Sequence, residues 1–476
     1  LVALAIWGLT DVRKRGVVDP VRPDRHMTDF TVYTEAAAAF FDGRDPYEVE
    51  NLRGWKYLYP PLFALLVWPL TPLAPEWECV AFYFISVLAA WGCYVEMRKL
   101  MAAVSDADAS DRIDSGPLKT WLILAAAAAL LPTLNCLQRG QVGVVKLYPL
   151  LLGTRLLCTA KTPGAAILAG VVLSFPIVVK LTPLLPVACL VGASLVPAII
   201  ATGTRGIAML RRDSALPLPT AAAADSWRFG LRCAEGTLLG IALNLALIPS
   251  ALIGWDDNQR RLTTWFSRVA FKVDDIYSDD FAGDGASPRN QSLVNAVYRA
   301  GNWTAWRLGI GPDDRLIDQG RKAAGDMPMD DPRVRPILTG LRAALLGVLC
   351  LAVWRLGRDS SRLAWITALS LGCVGTLVLS PVARGHYFLM YLPAVVFVPT
   401  WLWRNDRRRA AWILALSPAC LTGLHYVALP WCGRIGWLGL GTTVWFVAAV
   451  VSCLRIPRPE VAVAANSNEN HCRSAA

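Results

Sequence analysis

Nine polar residues have types and settings that could do chemistry. Asp29 stands at the head of the stretch TDFTVYTEAAAAFFDG, with Tyr33 four residues on, so the two share a helical face. A carboxylate there has two readings, the cap of the helix it precedes or a general base toward a hydroxyl. Arg139 and Gln141 fall in NCLQRGQVG. The arginine could grip a phosphate through paired hydrogen bonds, or simply snorkel to an interface. Lys180 is a lone cation in FPIVVKLTPLL, and a charge in so apolar a setting is expensive and asks for a function. Asn290 and Gln291, followed by Ser292, follow Pro288 and open a helical pattern that they could cap; their amides could also bind sugar hydroxyls. Arg384 and His386 lie in LSPVARGHYFLMYLP, where an imidazole could donate to a phosphate or shuttle a proton. One carboxylate among several cationic and amide donors, if they converge, suits an anionic substrate carried on a lipid.

The elements that must position these residues are apolar spans. The chain is 55% hydrophobic and only 17% charged, with mean hydropathy +0.41, where a soluble domain carries about 25% charged residues. Runs of about 20 apolar residues point to an all-α, polytopic helical membrane protein. The opening stretch Leu1–Leu9 reads as the tail of a truncated first span. Further spans are expected near Leu62–Trp91, Lys119–Leu134, Val142–Cys158, Gly164–Val178, Leu181–Thr202, Ala234–Ile253, Pro336–Trp354, Leu363–Leu379, His386–Trp403, Ala410–Leu429 and Ile435–Leu454. With the first, that makes about 12 transmembrane helices, a single membrane domain over residues 1–456.

Lys and Arg set the orientation. Basic clusters follow every second span: Arg98 and Lys99; Arg155 and Lys161; Arg205 to Arg232; Arg355, Arg358 and Arg362; Arg404 to Arg409; Arg455 and Arg458. All fall on one side, expected to be cytoplasmic. The two large polar loops, residues 10–61 and 254–335, fall on the other. The first of these carries eight basic and nine acidic residues, a nearly neutral surface fit for translocation. All nine polar residues project to this exterior face. The net charge of +11 is thus a topology signal, and no soluble basic face points to nucleic acid. The twelve cysteines are scattered with no C-x-x-C spacing, so neither a zinc site nor a disulfide framework is expected. The acidic pairs Asp274-Asp275 and Asp279-Asp280 have no diagnostic metal spacing, and no metal or cofactor is expected. Residues 457–476 read as a disordered cytoplasmic tail.

The segments DFTVYTEAAAAFFDGRDPYE with YPPLFALLVWPL, then QRGQVGVVKLYPLLLG, VVKLTPLLP, NQSL and SPVARGHYFLMYLP occur in the order seen in glycosyltransferase family 87, which includes polyprenol-phosphate-mannose-dependent mannosyltransferases. The chain resembles that family from about Thr28 to Pro393. The resemblance implies a GT-C-type fold and an inverting transfer from a polyprenyl-phosphate sugar on the exterior face. It implies Asp29 as catalytic base and His386 as a functional histidine; the residue types and their shared side point to Tyr33, Arg139, Gln141, Lys180, Asn290, Gln291 and Arg384 as substrate-binding groups. One departure stands out: where the family often has an aromatic and an acidic residue before the histidine, this chain has Ala383-Arg384-Gly385. The expected partners are a polyprenyl-phosphate-linked sugar donor, a glycan or glycolipid acceptor and membrane lipids, in a bacterial inner membrane with the site on the periplasmic side. Two other readings remain. A transporter or flippase of polyprenyl-linked sugars predicts charges at span centres and two similar halves; a non-catalytic assembly partner predicts that Asp29 and His386 are dispensable.

Overall fold

The computed structural model describes residues 2–18, 21, 27–52, 56–106, 115–211, 221–270, 290–309, 334–359 and 361–456. These are overwhelmingly helical. Among them there is no named strand, only two isolated bridges, Glu50 with Lys56 and Asn290 with Arg384. The acidic pairs at 274–275 and 279–280 and the tail 457–476 lie outside the described residues.

Among the described residues eight helices are long and apolar enough to cross a membrane: Pro75–Ser105, Pro117–Gln138, Trp227–Ile253, Arg335–Gly357, Arg362–Leu379, Gly385–Arg404, Arg408–Val427 and Trp437–Leu454. Three shorter apolar helices, Pro61–Leu70, Pro163–Val179 and Leu184–Ile200, accompany them, as does Gly143–Cys158. Leu88, Ile123, Val427 and Val444 point outward, each at least two-thirds exposed. Such an apolar surface is far larger than a soluble monomer tolerates and is what a bilayer covers. The molecule is a polytopic helical membrane protein.

One expected span is two elements. The stretch Leu62–Trp91 breaks into the Pro61–Val67 helix, a short 3-10 turn Trp68–Leu70, and a new helix from Pro75. Pro69, Pro72 and Pro75 explain the break. Each lacks an N–H, and each disfavours helical backbone in the residue before it. Pro61 sits in the first turn of its own helix, where proline is tolerated.

Two helices form the centre of the bundle. Arg362–Leu379 has 89% of its apolar window buried and Gly385–Arg404 83%, against 22–44% for the other six. The turn joining these two carries Arg384 and His386, so the most deeply packed part of the protein fixes that turn. Elsewhere helices approach closely on small residues. A Cβ on Gly236 would come within 2.0 Å of the Ile167 carbonyl oxygen, and one on Gly240 within 2.2 Å of Ser174 Oγ. This small-x-x-x-small edge lets Ala221–Ala242 lie against Pro163–Val179.

The helix ends sort into two layers. At one end Arg355 donates to the Ile456 carbonyl at 2.7 Å, Arg407 donates to the Arg455 carbonyl at 3.3 Å, and Arg155 pairs with Glu96. These are the basic clusters. At the other end residues 28–33, 57–60, 139–146, 180–182, 290–295 and 383–387 meet through the contacts described next.

Candidate active site

The Thr31–Phe41 helix closes with Gly43 at φ +75°, the left-handed stop that its sequence calls for. Its start is less expected. Thr28 Oγ1, not the Asp29 carboxylate, accepts the Phe30 amide at 3.1 Å. The Asp29 side chain reaches the end of the Ser115–Gln138 helix. There the Asp29 amide donates to the Arg139 carbonyl at 3.2 Å. Gln141 Nε2 donates to Asp29 Oδ2 at 2.7 Å, and Arg139 Nε stands 3.5 Å from the same oxygen. Asp29 is 2% exposed. The turn that makes this possible passes through Gly140 at φ +66°, where a Cβ would lie 2.6 Å from Phe30 Cβ. Only glycine satisfies both the backbone and the close approach.

Tyr33 lies one turn along. Its hydroxyl meets that of Tyr59 at 3.1 Å, and its ring packs edge-on against Phe30, Tyr59 and Phe63. Burial pushes the Tyr33 phenol well up and the Tyr59 phenol up, so both are neutral hydrogen-bonding groups. On the next turn of the same helix, burial pushes the Glu35 carboxyl up to about 7, against the pull of Arg44.

Lys180 follows the last residue of Pro163–Val179. Its ammonium donates to the Tyr387 hydroxyl at 2.7 Å and sits 5.2 Å from the Tyr59 ring centre. Tyr387 belongs to the 3-10 turn Gly385–Met390, beside His386. His386 is 2% exposed, and among the described residues neither of its ring nitrogens has a hydrogen-bond partner. Lys180, Arg139, Arg384 and Lys146 all act on it electrostatically. Asp29 in turn acts on Tyr33 and Tyr387. Asp29, Tyr33, Arg139, Gln141, Lys180, Arg384 and His386 therefore share one buried space.

Asn290 and Gln291 stand differently. Asn290 Oδ1 accepts the amides of Ser292 and Ala383 at 3.1 Å, and the Gln291 amide donates to the Ala383 carbonyl at 2.6 Å. Gln291 Nε2 donates to the Gly433 carbonyl at 3.2 Å, and its Oε1 accepts the Leu438 amide at 3.2 Å. These amides clasp the 383–387 turn to the 433–438 corner; they shape the site from behind.

Three residues of this region are not singled out by the sequence: Lys146, Tyr387 and Tyr426. The Tyr426 hydroxyl is buried without a partner among the described residues, and a Cβ on Gly385 would lie 2.7 Å from it. Lys146 carried a usable signal, because it is as solitary a cation in its apolar run as Lys180 is in its own. Among the described residues no group of three His, Cys, Asp or Glu side chains is placed to hold a metal.

Among the described residues, a bundle of membrane helices gathers a buried acid, cations and an unpartnered imidazole at one end, which defines a membrane protein with a buried polar cluster. A model of glycosyltransferase family 87 matches residues 57–381, and the chain belongs to that family; it is a membrane glycosyltransferase. The matched stretch holds Arg139, Gln141, Lys180, Asn290 and Gln291, while Asp29, Tyr33, Arg384 and His386 lie outside it. No curated protein matches the chain, and no solved structure matches it.

Proposed function

We propose that the chain is an inverting, GT-C-type hexosyltransferase, and that mannose is the sugar. It takes the sugar from a polyprenyl-phosphate donor and delivers it to a lipid or glycan hydroxyl on the exterior, periplasmic face of a bacterial inner membrane. The observation that carries this reading is the separation of charge within the site. A single carboxylate, Asp29, is oriented by Gln141 and Arg139, while Lys180 stands at the Tyr387 side without a carboxylate among its described partners.

In the reaction the acceptor oxygen attacks the anomeric carbon as Asp29 takes its proton. The bond from that carbon to the phosphate oxygen breaks on the opposite face, so the configuration inverts. The leaving phosphate has a low enough proton affinity to depart without a general acid. Lys180, Arg384 and His386 stabilise the charge that develops on it, while Arg139 stays with Asp29. Gln141 holds the Asp29 oxygen in line, and the buried phenols of Tyr33 and Tyr59 keep water from competing for the sugar.

The test is transfer of label from radiolabelled polyprenyl-phosphate mannose, with the glucose donor in parallel, in membranes carrying the protein. Label should move to a lipid or glycan with wild type and not with Asp29→Asn. Absence of transfer from any polyprenyl-phosphate sugar would sink the donor assignment.

A further inference from the structure

Lys146 is a buried cation that the mechanism above leaves unused. It lies on the Gly143–Cys158 helix, which begins two residues after Gln141, and it is 3% exposed. Burying an ammonium in apolar surroundings is costly unless it is paired. Yet among the described residues neither Lys146 nor Lys180 is ion-paired with a carboxylate. Their partners are neutral. Lys146 donates to Thr182 Oγ1 at 2.7 Å, and the Thr182 carbonyl is itself held by Thr376 Oγ1 at 3.2 Å. Lys146 lies 5.4 Å and Lys180 4.5 Å from the centre of one ring, that of Tyr387. Two ammonium groups are thus gathered around a single tyrosine, beside the unpartnered nitrogens of His386. Dipoles and ring faces hold them there, and among the described residues no carboxylate is paired with either.

The proposed reaction supplies an anion. As the acceptor O–H loses its proton to Asp29, that carboxylate becomes neutral. As the sugar–phosphate bond breaks, its electron pair goes to the phosphate oxygen. The donor is a phosphodiester of charge −1, and the product is a lipid monophosphate, mostly dianionic at neutral pH. One negative charge therefore moves from the Gln141–Arg139 end of the site to the lysine end. We infer that Lys146 and Lys180 together seat the leaving phosphate as a dianion, so that the site holds a lipid monophosphate more tightly than the diester it is released from. This rests on the donor proposed above. It also assigns Lys146 to the released phosphate, so its loss should lower kcat more than it raises the donor KM.

The test uses binding and needs no acceptor. The purified full chain in lipid nanodiscs is titrated with farnesyl phosphate and, separately, with its methyl diester. Wild type should bind the monoester about ten-fold more tightly or better, the lower end of one charge-assisted contact. Lys146→Gln should bring the two affinities together, and Lys146→Arg should keep them apart. Because glutamine removes a buried charge, the variant should melt no lower than wild type; Lys146→Met replaces it if it does not purify. Tight but equal binding of both ligands by wild type would leave the donor reading standing and overturn this one. Binding of neither ligand removes both. An undiminished preference in Lys146→Gln takes Lys146 out of the phosphate seat and overturns its role.

Discussion

The Asp29 carboxylate is made for one task by what surrounds it. Gln141 Nε2 and Arg139 Nε both address Oδ2, and Thr28 Oγ1 accepts the Phe30 amide. Asp29→Asn should abolish transfer and leave the thermal melt close to wild type, because asparagine keeps the size and the capping capacity of aspartate. Near-normal turnover by the purified variant would return Asp29 to a structural role. The hydrogen-bond donors assigned to the phosphate make a second prediction. Lys180→Ala, Arg384→Ala and His386→Ala should each reduce kcat/KM for the donor by about ten- to a hundred-fold, the value of one charge-assisted contact. The losses should not add in combination, since all three address one phosphate; donor kinetics of the single and double variants decide it. Several of these residues can be picked out in the sequence, because a lone charge in an apolar run is expensive and so conspicuous. Their roles are less visible. Asn290 and Gln291 look like sugar-binding amides, but their partners lie 93 and 142 residues away, a distance no local pattern reports. Lys146 obeyed the rule that exposed Lys180 and was hidden only by its neighbour Gln141 looking like the end of the loop.

The elements were legible where periodicity and end signals agree, and not where prolines crowd. Gly43 marks a helix end in sequence and in structure. Between Leu62 and Trp91 hydropathy alone suggests one span, and three prolines make it two. Gly140 is the hinge point of the site, joining the Ser115–Gln138 helix to the Asp29 segment. Gly140→Ala places a side chain at φ +66° against Phe30. It should destabilise the protein by more than about 1 kcal/mol and lower activity further than that loss explains, measured as turnover at a temperature where the variant remains folded. The Thr31–Phe41 helix carries a pH signature of its own. The Glu35 carboxyl is raised from 4.5 to about 7 by burial, so ionising it costs the folded state more than the unfolded one. Stability should be unaffected below about pH 4.5, fall as pH rises, and level off above 7. Glu35 is partly exposed, so screening reduces the effect to about 1–2 kcal/mol. Melting temperature against pH should show a smaller fall in Glu35→Gln than in wild type.

At the scale of the whole molecule, the alternation of arginine clusters and spans sorts the two ends of the bundle. The Arg355, Arg407 and Arg455 contacts gather at one end, and the Asp29–Gln141 and Lys180–Tyr387 contacts at the other. A single cysteine in place of exposed Arg44 should label from the exterior, and one in place of exposed Arg407 only after the cytoplasmic face is opened, in a background lacking Cys350 and Cys420, which are exposed. Labelling of both positions from one side would break the shared-face assignment. The clasp made by Asn290 and Gln291 has a consequence in time. A ribosome delivers Asp29 first and the Gly433–Leu438 corner some four hundred residues later, yet Gln291 needs that corner to hold the His386 turn in place. The early helices are therefore inserted around an unfinished chamber. A nascent chain stalled after the Tyr391–Arg404 helix would own every charged group of the reaction and still lack the backbone groups that set them, so activity is born with the last two membrane helices.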